Sequence, residues 1–357
     1  MSKPTVQDIF LQFYLEYLDK YTPSATQAKV ANCIMNCKTG AYGANVSICE
    51  DCGHLQIHYN SCRNRCCPMC QALPKEKWMD KRREDVLDSP YFHMVFTVPQ
   101  ELNPLIYSNQ KRLYDALYQS ISATINELTL DAKHLGAKVG YICVLHTWGS
   151  EMNYHPHVHV ILLGGGLTSK KQWCDKGKEF FLPIKVLSKL FRGKYLSRLK
   201  ELWEQNELCF YGTSSKYRNH YAFKELLDMC YSKEWIPYCK KTFNGAGSVI
   251  NYLGKYTHRI AISNHRIICM DECTVTFYVK DYKEDGKWKE HTISGVEFIR
   301  RFLMHVPPRR FVRIRHYGLL CTRSKNKHLT LCRNLLGCKK YISILKNMET
   351  PQILETL

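Results

Sequence analysis

The chain has 357 residues, 45% of them hydrophobic, enough to bury two or three cores and too many for a mini-domain or a disordered tail. Lys and Arg number 51 against 32 Asp and Glu, and the resulting formal charge of +19 points to a polyanionic partner. No apolar run approaches the roughly 18 residues that span a bilayer, and the opening residues lack a charged-then-apolar secretion signal, so a cytoplasmic protein is expected rather than a membrane or exported one.

Residues 1–36 are expected to be helical. Apolar positions Ile9, Phe10, Phe13, Leu15 and Tyr17 recur at helical intervals, and Thr5 and Asp8 stand at capping-box spacing. Residues 37–72 then hold most of a cysteine cluster: of 18 cysteines, eight fall between Cys33 and Cys70. Such clustering in a long chain favours thiolate–metal chemistry in a reducing cytosol over a disulfide framework. Cys49-x2-Cys52-x14-Cys67-x2-Cys70 has zinc-ribbon spacing, two knuckles that together complete a tetrahedron. Cys37, Cys62, Cys66 and His54 are further candidates, as alternative ligands or as a second zinc site. Four thiolates leave no open position, so this Zn2+ is structural, and Arg63 and Arg65 inside the knot are placed to meet DNA.

Residues 73–90 read as a charged helical connector, residues 91–98 (YFHMVFTV) as a strand stopped by Pro99, and residues 104–134 as one long helix or two. Residues 139–147 and 157–163 are strand candidates joined as a hairpin, with Gly164, Gly165 and Gly166 ending the second. His155, His157 and His159 occupy every second position, so one strand face carries all three. Neighbours two apart are about 6.6 Å apart, within reach of one ion, whereas His155 and His159 are about 13 Å apart. The pair His157 and His159 is therefore the expected metal site. Its third ligand is His155 if Pro156 bends the strand, His146 on the neighbouring strand, or Asn251.

Residues 167–241 carry 16 Lys and Arg against 8 Asp and Glu and read as a basic, largely helical insertion. Residues 248–257 read as a short helix on which Tyr252 and Tyr256, four apart, share a face. Spacing alone would suit two core aromatics; the company of Lys255, His258 and Arg259, and the histidine pair upstream, favour a nucleophile beside a cationic surface. A phenol with an ordinary pKa near 10 needs a polarised phosphate to attack, which a divalent ion on the histidines can supply. Residues 298–348 contain 13 Lys and Arg and no acid. Interleaved with Phe302, Phe311, Tyr317 and Tyr341, the cations, Arg309, Arg310, Arg313 and Arg315 among them, suit a nucleic-acid groove.

His157-Val158-His159 followed by Tyr252-x3-Tyr256 resembles the HUH endonuclease superfamily, in its two-tyrosine rolling-circle transposase branch. Phe96-Thr97-Val98-Pro99, the stretch from Ser61 to Gln71 (SCRNRCCPMCQ), YLGKYTHRIAI at 252–262 and VRIRHYG at 312–318 resemble blocks of the IS-ninety-one family of insertion-sequence transposases. The chain departs from that pattern at Cys66, where the family favours histidine. The resemblance implies an α+β fold: a central antiparallel sheet with flanking helices, an N-terminal zinc-ribbon-like module and a basic C-terminal region. It implies a transposase that nicks and rejoins single-stranded DNA through a 5′-phosphotyrosine on Tyr252 or Tyr256, with Mg2+ or Mn2+ at the histidines. Lys255 and Arg259 would touch the DNA, and the partners would be single-stranded and element-end DNA at the bacterial nucleoid. The expected divisions are 1–90 (helical opening and zinc module), 91–270 (catalytic domain with the insertion at 167–241) and 271–357 (basic DNA-binding region). A plasmid rolling-circle replication initiator or relaxase would share this chemistry; a non-catalytic zinc-ribbon DNA-binding protein would leave the histidines and tyrosines incidental.

Overall fold

In the computed structural model the chain is described except for residues 1–2, 178–181, 236, 243–248, 250–253, 255–259, 282–283, 285, 351 and 354–357. Two compact units are each assembled from segments distant in sequence. One comprises Met1–Glu76, Thr147–Tyr154 and His258–Arg309; the other comprises Lys77–His146, His155–Thr257 and Arg310–Leu357. The compact units therefore interleave along the chain, and the basic C-terminal stretch divides between them at residue 309.

The first unit begins with α1 (Val6–Lys20), whose N-terminus is closed by the capping box of Thr5 and Asp8, and α2 (Ala25–Met35), closed in the same way by Ser24 and Gln27. A hairpin of β1 (Ala44–Ile48) and β2 (Leu55–Tyr59) follows. Three further antiparallel strands, numbered after the sheet strands described below, are β8 (Ile267–Met270), β9 (Thr274–Asp281) and β10 (Lys287–Ser294), and they lead into helix α8 (Gly295–Met304). Phe10, Phe13, Phe277, Phe298 and Phe302 form the aromatic centre of the core, which also takes in Cys37, Cys66, Cys67 and Cys70. Gly295 is required where α8 starts, because a β-carbon there would stand 2.2 Å from the Phe13 ring.

The second unit is built on a six-stranded sheet. In chain order its elements are α3 (Ala72–Arg83, which begins in the first unit), β3 (Tyr91–Thr97), α4 (Asn103–Ser108), α5 (Gln110–Leu130), β4 (Lys138–Trp148), β5 (Tyr154–Leu167), β6 (Trp173–Asp175), α6 (Ile184–Glu204), α7 (His220–Ser232), β7 (Tyr238–Thr242), β11 (Ile314–Gly318) and α9 (Lys325–Leu336). The strand order is β11-β4-β5-β3-β7, with β6 paired to β5. β11 on β4, β3 on β5 and β7 on β3 are antiparallel. The expected break at Gly164 to Gly166 does not occur: β5 runs through all three. They are glycines because neighbours crowd in, a β-carbon at Gly166 meeting the Lys138 carbonyl at 2.4 Å and one at Gly165 meeting the Trp173 ring at 2.5 Å.

Strand alternation gives the sheet two different faces. Tyr141, Cys143 and Leu145 of β4 and Phe92, Met94 and Phe96 of β3 point one way. There Ser122 and Tyr118 of α5 bond to Tyr141 and to the Leu145 N–H, and Phe191 of α6 packs edge-on to Phe96. The opposite face carries Ile142 and Val144, Ile161 and Leu163, and Tyr91, in one core cluster with Met79, Leu87, Val249, Leu329 and Cys332. The register places His157 opposite Thr97 and His159 opposite Val95 on this second face, with His93 opposite Ile161. Among the described residues no helix is long and apolar enough to cross a membrane.

Candidate functional site

Two groups of ligand-type side chains stand out, one in each unit. In the first unit the sulfurs of Cys37, Cys62, Cys67 and Cys70 all lie within 4.8 Å of one another. Cys70 is 3.5 Å from Cys37 and 3.6 Å from Cys62, close to the edge of about 3.8 Å that a tetrahedron with Zn–S bonds near 2.3 Å requires. The backbone is shaped to serve these sulfurs. Arg63 adopts a left-handed conformation (φ 54°), its N–H bonds to Cys70, and the Asn64 N–H reaches the Cys62 sulfur at 3.5 Å, while the Cys62 N–H reaches Cys37 at 3.4 Å. Burial pushes the Cys62 thiol up to about 12 and Cys67 higher still. Burial opposes ionisation at Cys70 too, but hydrogen bonds from Cys37, Cys62 and Cys67 outweigh it and lower its pKa. Four sulfurs gathered this closely are what a metal would join, displacing their protons.

This is a different quartet from the two-knuckle ribbon expected from spacing. Cys67 and Cys70 are in it, with Cys37 and Cys62; Cys49 and Cys52 are not, and both are exposed. The fourteen residues between the knuckles include β2, and Cys49 and Cys52 form the turn at the far end of the hairpin. Five-residue strands carry them about 16 Å from the hairpin base, where Cys37 and Cys62 flank the strands. Cys66 is buried outside the group, its N–H bonded to the Asn64 side chain.

In the second unit His146 of β4 and His157 and His159 of β5 each offer a ring nitrogen within 4.8 Å of the others. His146 is the third member, one of three alternatives the sequence leaves open. His155, just before Pro156 in β5, is not in the group. Its carbonyl instead accepts the His157 Nδ1–H at 2.7 Å, leaving Nε2 of His157 as the unprotonated nitrogen. His159 Nδ1 is likewise paired, with His93 Nε2 at 2.9 Å. Burial holds His157 and His93 near about 4, so both are neutral at physiological pH, the form in which imidazole ligates. His93 is the residue that sequence reasoning passed over. Its signal was present, a histidine at an alternating position of YFHMVFTV, but its neighbour is set by the β3–β5 register.

Tyr252, Tyr256, Lys255, Arg259 and Asn251 lie outside the described residues. Val249, three residues before Tyr252, is buried in the core cluster on the histidine face of the sheet. Arg63, Arg65, Arg309 and Arg310 are exposed, and Arg65 donates to the Pro308 carbonyl at 3.2 Å, bringing the knot beside Arg309. Arg313 and Arg315 are half-buried. Arg315 is engaged internally: it is ion-paired with Asp115 and stacked 4.1 Å over the Tyr118 ring, on the sheet face away from the histidines.

Residues 140–328 match the family model described as "Putative transposase", and residues 9–98 match "Transposase zinc-binding domain". The "Putative transposase y4qJ" of Sinorhizobium fredii is 40% identical over 338 residues, covering 94% of this chain and 85% of that protein. The "Transposase for insertion sequence element IS801" of Pseudomonas savastanoi pv. phaseolicola is 30% identical, covering 83% of this chain and 70% of that protein. Among solved structures, the metal-bound conjugative relaxase TrwC with oriT DNA overlaps 48% of this chain and 74% of that one at 12% identity and a TM-score of 0.27. TrwC with a 27-mer DNA overlaps 31% and 44% at 14% identity and a TM-score of 0.25. A thiolate module joined to an antiparallel sheet with a histidine group is, on these matches, the build of a DNA transposase. The chain belongs to the IS-ninety-one family of insertion-sequence transposases, with its zinc-binding domain at the N-terminus.

Proposed function

We propose that this transposase cuts and rejoins single-stranded DNA through a tyrosine ester, with a divalent ion at His146, His157 and His159. The phenolic oxygen of Tyr252 or Tyr256 forms a bond to phosphorus as its proton leaves. The P–O3′ bond breaks, and the departing oxygen takes up a proton to become a free 3′-hydroxyl. The 5′-phosphotyrosine conserves the ester energy, so a 3′-hydroxyl can later reverse the step on another strand without ATP. Two tyrosines allow donor and target strands to be held in turn.

The single observation that carries this reading is the three-imidazole group, with two of its rings fixed by partners at Nδ1. Three ligands leave open positions, as a catalytic ion needs, whereas four thiolates do not. A bound ion would polarise the scissile phosphate and neutralise charge that develops on it. All-nitrogen donors favour Mn2+ or another transition ion over Mg2+, which prefers oxygen. Zn2+ at Cys37, Cys62, Cys67 and Cys70 would hold the N-terminal module, and Arg63, Arg65, Arg309 and Arg310 would contact phosphates.

The test is incubation with a single-stranded oligonucleotide and Mn2+ or Mg2+, followed by denaturing electrophoresis and mapping of the modified residue. An SDS-resistant adduct on Tyr252 or Tyr256, greater with Mn2+, is expected. Tight binding with no adduct under any metal would make the chain a DNA-binding protein only.

A further inference from the structure

The cysteines left out of the quartet have a geometry of their own. Cys49 and Cys52 close the β1–β2 turn: the Cys49 N–H bonds to the His54 carbonyl and the Gly53 N–H to the Cys49 carbonyl, both at 2.9 Å, with Gly53 at φ 70°. The Cys49 sulfur receives the backbone N–H groups of Cys52 and Asp51 and lies against the Cys52 thiol, and these bonds lower its pKa. This is a formed knuckle, with two thiols side by side and N–H donors behind one of them. Among the described residues no third ligand stands close enough to join it, since no metal-type group contains Cys49 or Cys52.

The strands behind the knuckle are as unusual. The register pairs Ala44 with Tyr59, Val46 with Ile57 and Ile48 with Leu55, so all six share one face, while Asn45, Ser47, Gln56 and His58 share the other. That apolar face is exposed: Val46 60%, Ile48 64%, Leu55 59% and Ile57 54%. A hairpin with one uncovered apolar face is marginal in water, and it ends in half of a tetrahedral thiolate site.

We infer that the Cys49–Cys52 knuckle is one half of a second zinc site, whose other half is the same knuckle of a second copy of this chain. Two C-x2-C pairs related by a two-fold axis supply the four thiolates that zinc takes in a structural site. The axis would bring the two apolar hairpin faces within reach of each other. Even buried completely, these six side chains per copy only approach the roughly 1,200 Å² of total buried area at the low end of stable interfaces. The dimer therefore depends on the metal, and the apolar face supplements it. Each Zn2+ that enters displaces four thiol protons to solvent, and nothing is oxidised. The inference concerns the zinc-binding domain and stands apart from the phosphotyrosine reading.

The experiment compares the full-length protein with a C49S/C52S variant, measuring zinc per chain and molar mass in solution. The tip is exposed, so the variant keeps the Cys37, Cys62, Cys67 and Cys70 group, which circular dichroism verifies. Zinc content is expected to fall by about 0.5 per chain and the mass to halve. A fall of about one zinc per chain without a mass change would mean that the site is completed within one copy, by His54 or Asp51 for example, and would overturn the proposal. It would be overturned equally by unchanged zinc content, or by a dimer that survives in the variant.

Discussion

The two ligand groups solve opposite problems with the same kind of chemistry. Cys37, Cys62, Cys67 and Cys70 converge from a helix end, a hairpin base and a tight turn into a site with four thiolates, which leaves zinc nothing further to bind. His146, His157 and His159 project from two strands of one sheet into a site with three imidazoles, which leaves coordination positions for a phosphate. On the function proposed above, closure would make the first a fastener and openness would make the second a tool. Damage to the first should cost structure, and damage to the second should cost reaction.

The largest expected effect is Cys67→Ser. Structural zinc contributes about 10–16 kcal/mol of apparent binding free energy that exists only when the fold does, so loss of one buried thiolate should unfold the N-terminal module. Zinc analysis and limited proteolysis check this: loss of zinc with early cleavage between residues 1 and 76 is expected, and unchanged zinc would remove Cys67 from the ligand set. His157→Ala is the counterpart. It should leave the melting curve and DNA affinity nearly intact, since phosphate contacts from Lys and Arg dominate binding. Adduct formation should fall by more than the roughly 100-fold that loss of an outer partner costs. Retained cleavage with lost binding would break the comparison.

Three histidine variants sharpen it. His146→Ala should behave like His157→Ala. His155→Ala should cost less than about threefold, because His157 bonds to the backbone carbonyl of residue 155, which alanine keeps. Equal losses in both would return the third-ligand role to His155. His93→Gln lies between: removing the partner of His159 Nδ1 should weaken metal affinity roughly 10- to 100-fold while excess Mn2+ restores adduct formation. A defect that excess metal does not restore would mean that His93 acts elsewhere.

The contrast also explains what the sequence could reveal. A strand has a period of two, so His157 and His159 on one face could be read directly, as could the capping box at Thr5 and Asp8 and the strand that ends before Pro99. His146 could be only one option of three, because strand pairing is not written in either strand alone. The thiolate quartet could be read only in part for a related reason. Spacing rules assume that two knuckles meet, whereas β1 and β2 carry one knuckle away and let Cys37 and Cys62, 25 residues apart, take its place. Arg315 shows the same limit: a basic run locates cations, but not that Asp115, 200 residues earlier, pairs with one of them.

The smallest effect serves as the control for the first unit. Glu297 in the first turn of α8 accepts bonds from Arg300 at 2.6 and 2.8 Å and from Arg301 at 2.7 Å, and these hold its carboxyl down to about 2 against an ordinary 4.5. A carboxyl more acidic in the fold than in the unfolded chain stabilises the fold above the unfolded value, and the contribution disappears as pH falls from about 4.5 through about 2. The pair is partly solvated, its side chains 28% and 37% exposed, so Glu297→Gln should cost no more than about 1 kcal/mol near neutrality. Protons compete with zinc for the four buried thiolates, so metal release should come first on acidification. If the module instead holds its zinc until Glu297 titrates, the ion pair is the fastener and the thiolate group is not.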